Sequence, residues 1–448
     1  MEKKNILIIG AGAAGLAAAS VLSKDGINVT VLEGRDRIGG RIHTLRDSSF
    51  PSSIELGAEF IHGKLPVTFQ LLKRYQVDYQ KVKGQIWQLK EGELKKKEQL
   101  IEEARSFEKK LREVKQDMSV ETFLLTYFSD QKYVRLKNSV TKFIEGYDAA
   151  DTSRASILAF REEWEKSGEG EQYRIVGGYI SLLKALAKDC KDKNGKIYLS
   201  TLVKKIQWSA SGIEICSENG EKYTADKVLV TVPLGVLQAD FSSKAFISFQ
   251  PPIPHKIEAA RALGYGAVIK VIFYFNESFW QSMATKGKLG KDLKELGFLF
   301  SDQTIPTWWT QGPGSVPLLT GWLAGPSVEK LKITDNRIIL HHAVQSLASI
   351  FQENHLLLLQ KIISWKIVNW AADPFSLGAY SYSTVNAGKL IETLRTPIEN
   401  VVYFAGEAIH PDGNTGTVEA ALSSGVKTAK EIAHAMKTEE VTIQFSNA

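Results

Sequence analysis

Ile6-Leu-Ile-Ile9-Gly10-Ala-Gly12-Ala-Ala14-Gly15 opens the chain with an apolar run that breaks into spaced glycines. An Ala-rich stretch follows, then a second apolar run, Val29-Thr-Val-Leu32, which ends at Glu33. The runs read as strands and the Ala-rich stretch as a helix, which makes a βαβ unit. Gly10 permits the tight turn out of the first strand. Gly12 lets backbone approach a pyrophosphate, and Gly15, beside the small Ala14, lets the helix pack closely on the sheet. The helix start then offers free N–H groups and a positive dipole end to phosphates. Glu33, roughly twenty residues on, suits a ribose hydroxyl pair. A lone GxGxxG is weak evidence. This one sits between strand and helix with the acid in place, so it reads as dinucleotide binding rather than a structural turn.

The far end of the chain carries a matching segment. Val401-Val-Tyr-Phe404 leads into Ala405-Gly406-Glu407, and Asn414-Thr-Gly416-Thr417-Val418-Glu-Ala-Ala421 opens another Ala-rich helix. A cofactor gripped from both ends of the chain is long, which points to FAD rather than NAD. The loop after Glu33 agrees. Gly34-Arg35-Asp-Arg37-Ile-Gly39-Gly40-Arg41 can bring backbone and an Arg fork to the pyrophosphate from its other side. The competing reading is a solvated basic loop.

In chain order, Ile6 to His62, Val203, Ala225 to Leu237, Gly264 to Lys270, Trp370 to Tyr380 and Glu407 to the last helix resemble the flavin-containing amine oxidase family. That family holds monoamine oxidases, polyamine oxidases and the flavin histone demethylases, and the middle of this chain matches it loosely. The resemblance implies an α/β fold: a Rossmann-like FAD-binding domain plus an α+β substrate-binding domain with a mixed sheet. The chain is expected to cross between them several times. The expected division gives 1–70, 191–265 and 378–448 to the FAD-binding domain, and 71–190 and 266–377 to the substrate-binding domain. The implied reaction is hydride transfer from an amine to flavin N5, hydrolysis of the imine, and reoxidation by O2 to give hydrogen peroxide.

The same resemblance assigns roles. Leu56-Gly57-Ala58-Glu59-Phe60-Ile61-His62-Gly63 passes beside the flavin, with Gly57 and Ala58 small enough to let backbone lie against the ring. His62 matches a histidine that polyamine oxidases place at the substrate amine. Neutral imidazole there accepts a hydrogen bond from an ammonium or helps keep the amine deprotonated; the plainer reading is a loop-capping histidine. Glu59 either attracts a cationic substrate or pairs with a nearby arginine. Lys270 matches the lysine that reaches flavin N5 through a water, where a cation stabilises developing negative charge. The plainer reading is a lysine snorkelling off its strand. Tyr380 matches a tyrosine beside the flavin. The second tyrosine of the monoamine oxidase cage is replaced by Thr417, which favours the polyamine oxidase branch. Ala379 stands where animal monoamine oxidases carry a flavin-linking cysteine, so FAD is expected to bind non-covalently. Val203 is expected at the adenine end, Glu407 at the ribityl chain or a flanking hydroxyl, Gly406 among the cofactor-binding residues, and the N–H groups of Thr417 and Val418 at the pyrimidine edge. Trp370 reads equally as a neighbour of the dimethylbenzene edge or as a core tryptophan.

Composition narrows the rest. With 448 residues the chain suits two domains, and 44% hydrophobic with 24% charged residues is globular usage. The net charge of +6 is spread along the chain, which argues against nucleic acid. Cys190 and Cys216 give neither a disulfide framework nor metal-ligand spacing, and the histidines are scattered, so no metal is expected. No leader or bilayer-length apolar run is read, so the expectation is cytoplasmic, with no membrane partner. Oligomeric state is not legible. Residues 71–186 read as Lys/Glu-rich helices, with Lys95–Lys97 at the start of an amphipathic helix carrying Ile101, Ala104, Phe107, Leu111 and Val114. The stretch 282–297 reads as a loop. Glu163, Glu165, Glu169 and Glu171 either draw a polycation or form a solvated run, the second being favoured. The expected substrate is a small cationic amine, with a polyamine such as spermine or spermidine ahead of a monoamine. An L-amino acid would need an arginine for its carboxylate, where the flavin-side segment offers an acid and a histidine. Another flavin-dependent dehydrogenase or desaturase of the same superfamily is the remaining alternative.

Overall fold

A computed structural model describes residues 4–97, 101, 103–167, 171–209, 212–312, 316–331, 335–410 and 415–446. Strand Asn5–Ile9 pairs in parallel with Asn28–Leu32 on one side and Lys227–Val230 on the other. Lys196–Tyr198 and Val402–Phe404 complete a five-stranded parallel sheet. Side chains alternate between faces, and both faces are covered, so the strands read as unbroken apolar runs. Ile6, Ile8, Val29 and Val31 face helices Ala13–Lys24, Ile180–Lys191 and Val418–Ser446. Leu7, Ile9, Leu32, Val228 and Val230 face a four-stranded sheet through Ile206, Trp208, Ile213, Ile215 and Phe249.

A second large sheet has seven strands in the order Ile362–Asn369, Val268–Phe275, Leu318–Ala324, Thr307–Thr310, Leu296–Phe300, Gln85–Lys90 and Glu93–Lys96. It is mixed: Leu296–Phe300 and Gln85–Lys90 run parallel, and the other neighbours are antiparallel. In Val268–Phe275 the odd residues Ile269, Val271, Phe273 and Phe275 pack with Ile339, Ala343, Leu347 and Ile350 of helix Asn336–Phe351. The even residues point the other way, Ile272 toward Phe50, Ile54 and Leu56. Lys270 shares that parity, so the period of two aims it at the segment that follows Leu56. Four helices, Ala104–Glu113, Val120–Tyr127, Val134–Tyr147 and Ile157–Ser167, pack around Phe107, Phe123, Leu136, Val140, Ile144 and Phe160.

This is the two-sheet α/β architecture expected from the sequence, with local corrections. Lys95 and Lys96 lie on strand Glu93–Lys96, not on a helix; the helix begins at Ala104 and buries Phe107 and Leu111. The strand is the second arm of a hairpin whose turn, Glu91-Gly92, takes positive φ at both residues. A two-residue turn of that hand matches strand twist. The expected loop at 282–297 contains helix Met283–Leu289, capped by the Ser282 side chain on the Thr285 N–H. Cys190 lies in helix Ile180–Lys191 and Cys216 in strand Gly212–Ser217, both as free thiols. Among the described residues no helix is long and apolar enough to cross a membrane, and no group of His, Cys, Asp and Glu side chains is placed to hold a metal ion.

Candidate active site

A cavity of about 2200 Å³ runs from the first glycine loop to the second sheet. That is more than twice a typical small-ligand pocket, room for a dinucleotide together with a substrate. Of the residues expected at the cofactor or the amine, Gly10, Gly12 and Ala14, Glu33, Gly34 and Arg35, Gly39 to Arg41, Gly57 to Glu59 and His62, Val203, Lys270, Trp370, Tyr380, Gly406, Glu407, Thr417 and Val418 line it, and Gly15 and Arg37 do not.

Gly15 acts from behind the wall. A Cβ there would lie 2.0 Å from the Gly10 carbonyl oxygen, so only glycine lets the helix start so close to the turn. A Cβ at Gly12, by contrast, would meet nothing within 4 Å. Gly12 caps helix Ala13–Lys24 without a side-chain hydrogen bond, so the first N–H groups are left for a ligand. Glu33 is buried and accepts the Ala11 N–H at 2.7 Å and the Arg35 N–H at 2.9 Å. Burial pushes its carboxyl above the ordinary range against the pull of those two donors. The second loop closes on the first: Gly39 donates its N–H to the Ala11 carbonyl at 2.8 Å, and Gly40 faces the Gly12 Cα. Val203, buried at the start of its strand, completes this end. An open helix start, a side-chain-free approach and a buried acid fit the phosphate and ribose of FAD.

The arginines of the second loop pair with protein groups, and Arg35 and Arg41 also line the cavity. Arg35 forks onto Asp373 at 2.6 and 3.0 Å, bonds the Ser376 hydroxyl, and lies over Phe375. Arg37 donates to the carbonyls of Ile38, Gly40 and Ile42. Arg41 donates to the Ala379 carbonyl at 2.8 Å and to Glu407 at 2.7 Å. Glu407 also accepts the Gly416 N–H at 2.9 Å and bonds Ser381, so its carboxylate, on the cavity wall, ties the two ends of the chain together. Thr417 accepts the Ala420 N–H and so caps the last helix beside Val418. Gly416 packs against the Tyr380 ring.

On the other side, Gly57 lies so close to Arg41 that a Cβ would sit 1.8 Å from the Arg41 carbonyl oxygen. The Trp370 indole N–H donates to the Leu56 carbonyl at 3.1 Å, so this tryptophan is both a buried core residue and part of the cavity wall. The segment then delivers Glu59 to a buried ion cluster. Glu59 accepts from Lys270 Nζ at 2.7 Å, from Arg174 Nε at 2.9 Å and from the Trp309 indole at 3.1 Å. Lys270, 1% exposed, also donates to the Gly57 carbonyl. Burial pushes the Glu59 carboxyl up, but Lys270 and Arg174 outweigh it and hold it at about 2. Of the two readings of Glu59, pairing with an arginine stands. The second partner, Lys270, was not foreseen, and Lys270 is not a snorkelling surface residue.

His62 is held by a short ladder in which Ile61 and His62 pair with Tyr173 and Gln172. Its Nδ1 is buried with no hydrogen-bond partner, and burial lowers the imidazole to about 4. The ring is therefore neutral at pH 7. It meets Tyr147 edge-on at 5.4 Å. Tyr380 stacks near Trp322 and donates its hydroxyl to the Tyr147 carbonyl at 2.7 Å, and burial pushes its phenol well up. Of the acidic run, Glu163 lines the cavity, Glu165 is exposed, and Glu171 pairs with Lys81; Glu169 lies outside the described residues. Asp148, missed in the sequence, joins Glu163 on the wall.

A glycine cradle, a two-ended cavity and a buried lysine at its far wall define a dinucleotide-dependent redox protein. Residues 13–433 match the family model described as flavin containing amine oxidoreductase, and the chain belongs to that family. It is a flavin-dependent, amine-oxidising enzyme by membership. It is 30% identical to polyamine oxidase 4 of Oryza sativa subsp. japonica, over 95% of this chain and 88% of that protein. It is 28% identical to human lysine-specific histone demethylase 2, over 96% of this chain and 54% of that protein. Putrescine oxidase bound to putrescine superposes with a TM-score of 0.77 at 18% identity, covering 96% of this chain and 99% of that one. Cyclohexylamine oxidase from Brevibacterium oxydans gives 0.76 at 19%, covering 97% and 100%.

Proposed function

We propose that this enzyme oxidises a polyamine such as spermine or spermidine, with O2 as the electron acceptor and FAD held non-covalently. FAD, when bound, takes the hydride from the carbon beside the amine nitrogen and passes the electrons to O2, giving an imine that water hydrolyses and hydrogen peroxide. Gly10, Gly12, Glu33 and Val203 would hold its adenine half, and Gly57, Ala58, Trp370, Thr417 and Val418 would wall its ring. Ala379, with no sulfur, offers no link to it.

The observation that carries the reading is the neutral His62 imidazole on the same cavity as Lys270 and Tyr380. A neutral amine is needed at the reacting carbon, because a protonated nitrogen has no lone pair to expel hydride. His62 supplies an acceptor for the amine N–H there without adding a cation. Lys270 supplies a fixed positive charge at the site, held in place by Glu59. The nearby guanidinium, Arg174, is tied to Glu59 and to the carbonyls of Thr310 and Gln311, which argues against an amino-acid carboxylate at this end.

Initial rates of peroxide release over mono-, di- and polyamines and L-amino acids test the proposal. Polyamines are expected to lead. Faster turnover of a simple monoamine or an amino acid would overturn the polyamine assignment.

A further inference from the structure

Strand Gln172–Ile175 pairs with Ile61–His62 on one side and with Tyr79–Lys81 on the other. Its side chains alternate between two faces. Tyr173 packs edge-on to the rings of Phe69 and Tyr79, and Arg174, on the opposite face, is 8% exposed. Each arm of the Arg174 guanidinium is engaged. Nε donates to Glu59 at 2.9 Å, Nη2 to the Thr310 carbonyl at 3.1 Å and Nη1 to the Gln311 carbonyl at 3.4 Å, and the plane lies over the Phe60 ring at 4.6 Å. Trp309, next to Thr310, donates its indole N–H to the same Glu59 oxygen at 3.1 Å. One side chain outside the cavity lining thus joins the small ladder that holds His62, the flavin-side segment at Glu59 and the end of strand Thr307–Thr310. A lysine could match the charge there but not the planar fork.

The charges of this cluster do not balance. Lys270 bonds the other Glu59 oxygen at 2.7 Å, so one carboxylate serves two cations. Burial opposes charge on Glu59, yet Lys270 and Arg174 outweigh it and hold the carboxyl at about 2, so Glu59 stays ionised. A guanidinium keeps its proton in proteins. Glu55 is a further acid that feels Lys270. It accepts the Tyr179 N–H at 2.6 Å and the Thr44 hydroxyl at 2.9 Å, and burial pushes it up to about 7. At pH 6 Glu55 is therefore mostly protonated, and two buried cations face one carboxylate. Buried charge is screened far less than surface charge. Lys270 and Glu59 line the cavity, so the excess is presented to it through their pair.

We propose that Arg174 is a positioning residue for the redox centre: through Glu59 it fixes Lys270 and supplies the excess positive charge that favours reduction of the bound cofactor. This rests on reading the cavity as the FAD site, with the ring walled by Gly57, whose carbonyl Lys270 also bonds. Reduction brings negative charge to the cofactor, and a fixed cation nearby favours it without reorganising. Without Arg174, Lys270 and Glu59 cancel, and the cluster offers the cofactor a neutral pair.

The test is the midpoint potential of bound FAD at pH 6, measured by dye-coupled reduction without amine. It is run on FAD-loaded unmutated protein, Arg174→Gln, Glu59→Gln, the double variant and Arg174→Lys, with flavin absorbance and the urea midpoint reporting occupancy and fold. The cluster loses a positive charge in Arg174→Gln, loses a negative one in Glu59→Gln, and keeps its net charge in the other two. The potential should follow that order. Arg174→Gln should lower it by the equivalent of roughly tenfold in the two-electron equilibrium constant, about 30 mV. Glu59→Gln should raise it by a similar amount, and the double variant and Arg174→Lys should stay close to the unmutated protein. An arginine with a merely structural role predicts otherwise: every change that loosens the cluster moves the potential the same way, or none moves it. Either result overturns the proposal. Should one single variant fail to hold FAD, the other compared with the double variant carries the test, because the second change must move the potential back. Peroxide release over amines is read separately. Potentials in the expected order with no peroxide from any amine would refute the oxidase reading and leave the role of Arg174 standing.

Discussion

Replacing Lys270 by Met tests the buried cluster and the oxidase reading together, and the structure predicts two separable effects. Lys270 Nζ sits 2.7 Å from Glu59 and is 1% exposed, so the variant strands a carboxylate that keeps only Arg174 and neutral donors. Breaking a buried pair from one side typically costs about 3–5 kcal/mol. A second route to the magnitude agrees. The Glu59 carboxyl is held at about 2 instead of 4.5. That difference corresponds to roughly 3 kcal/mol of preference for the charged form in the folded state. A depressed carboxyl contributes its stability above the unfolded value, and loses it as pH falls from about 4.5 through about 2.

The assay is a double-mutant cycle of Lys270→Met, Glu59→Gln and the combination, by urea denaturation of FAD-loaded protein followed through tryptophan fluorescence. The double variant should recover about 2 kcal/mol relative to the sum of the singles, the upper part of the range for contacting groups. Glu59→Gln should also flatten the acid limb between about pH 4.5 and 2. Single costs that add to within about 0.5 kcal/mol would refute the coupling. The kinetic effect is distinct. Lys270→Met should keep its cofactor and still be reduced by amine, yet turn over with O2 roughly tenfold more slowly or worse, about 1.4 kcal/mol of barrier. Wild-type turnover would leave Lys270 as a structural partner of Glu59 alone.

Gly57→Ala drives a Cβ toward the Arg41 carbonyl oxygen, and Gly15→Ala drives one toward that of Gly10, so each should cost about 1–3 kcal/mol and weaken FAD retention; unchanged urea midpoints and flavin content would contradict the close approach. Acid or heat precipitation should release intact FAD into the supernatant, because Ala379 offers no sulfur; flavin retained in the pellet would refute non-covalent binding. His62→Ala should slow anaerobic reduction by polyamine roughly tenfold or more without moving the upper limb of its pH profile. With the imidazole lowered to about 4, any rise above pH 7 belongs to the bound amine, and a limb that disappears with His62 would show otherwise.

What was legible in the sequence is what backbone geometry enforces. The Gly10 to Gly15 turn and the Gly39-Gly40 approach demand glycine at fixed spacing, and the parallel strands announce themselves as unbroken apolar runs. The hairpin at 85–96 was not read because its lysines outweighed a short alternation that buries only Trp87 and Leu94. The Glu59 cluster joins residues 115 and 211 positions apart, and no local pattern announces such a pair. Asp148 gave no signal because an aspartate after a helix is ordinary surface usage until packing encloses it.

The partners chosen by the charged residues carry the functional argument further than their mere presence does. Arg35, Arg41 and Lys270 line the cavity, Arg174 joins Lys270 on Glu59, and each is paired with a protein acid: Asp373, Glu407 and, for the last two, Glu59. Such pairing fixes their positions, which is the form of charge that stabilises a reacting centre without reorganising. It also removes them as receptors for an anionic substrate. Toward the His62 end, Asp148 and Glu163 line the same cavity, and among the described residues neither is paired with a cation. The pairing of the cations, set beside these acids, therefore argues against a carboxylate-bearing ligand at this end.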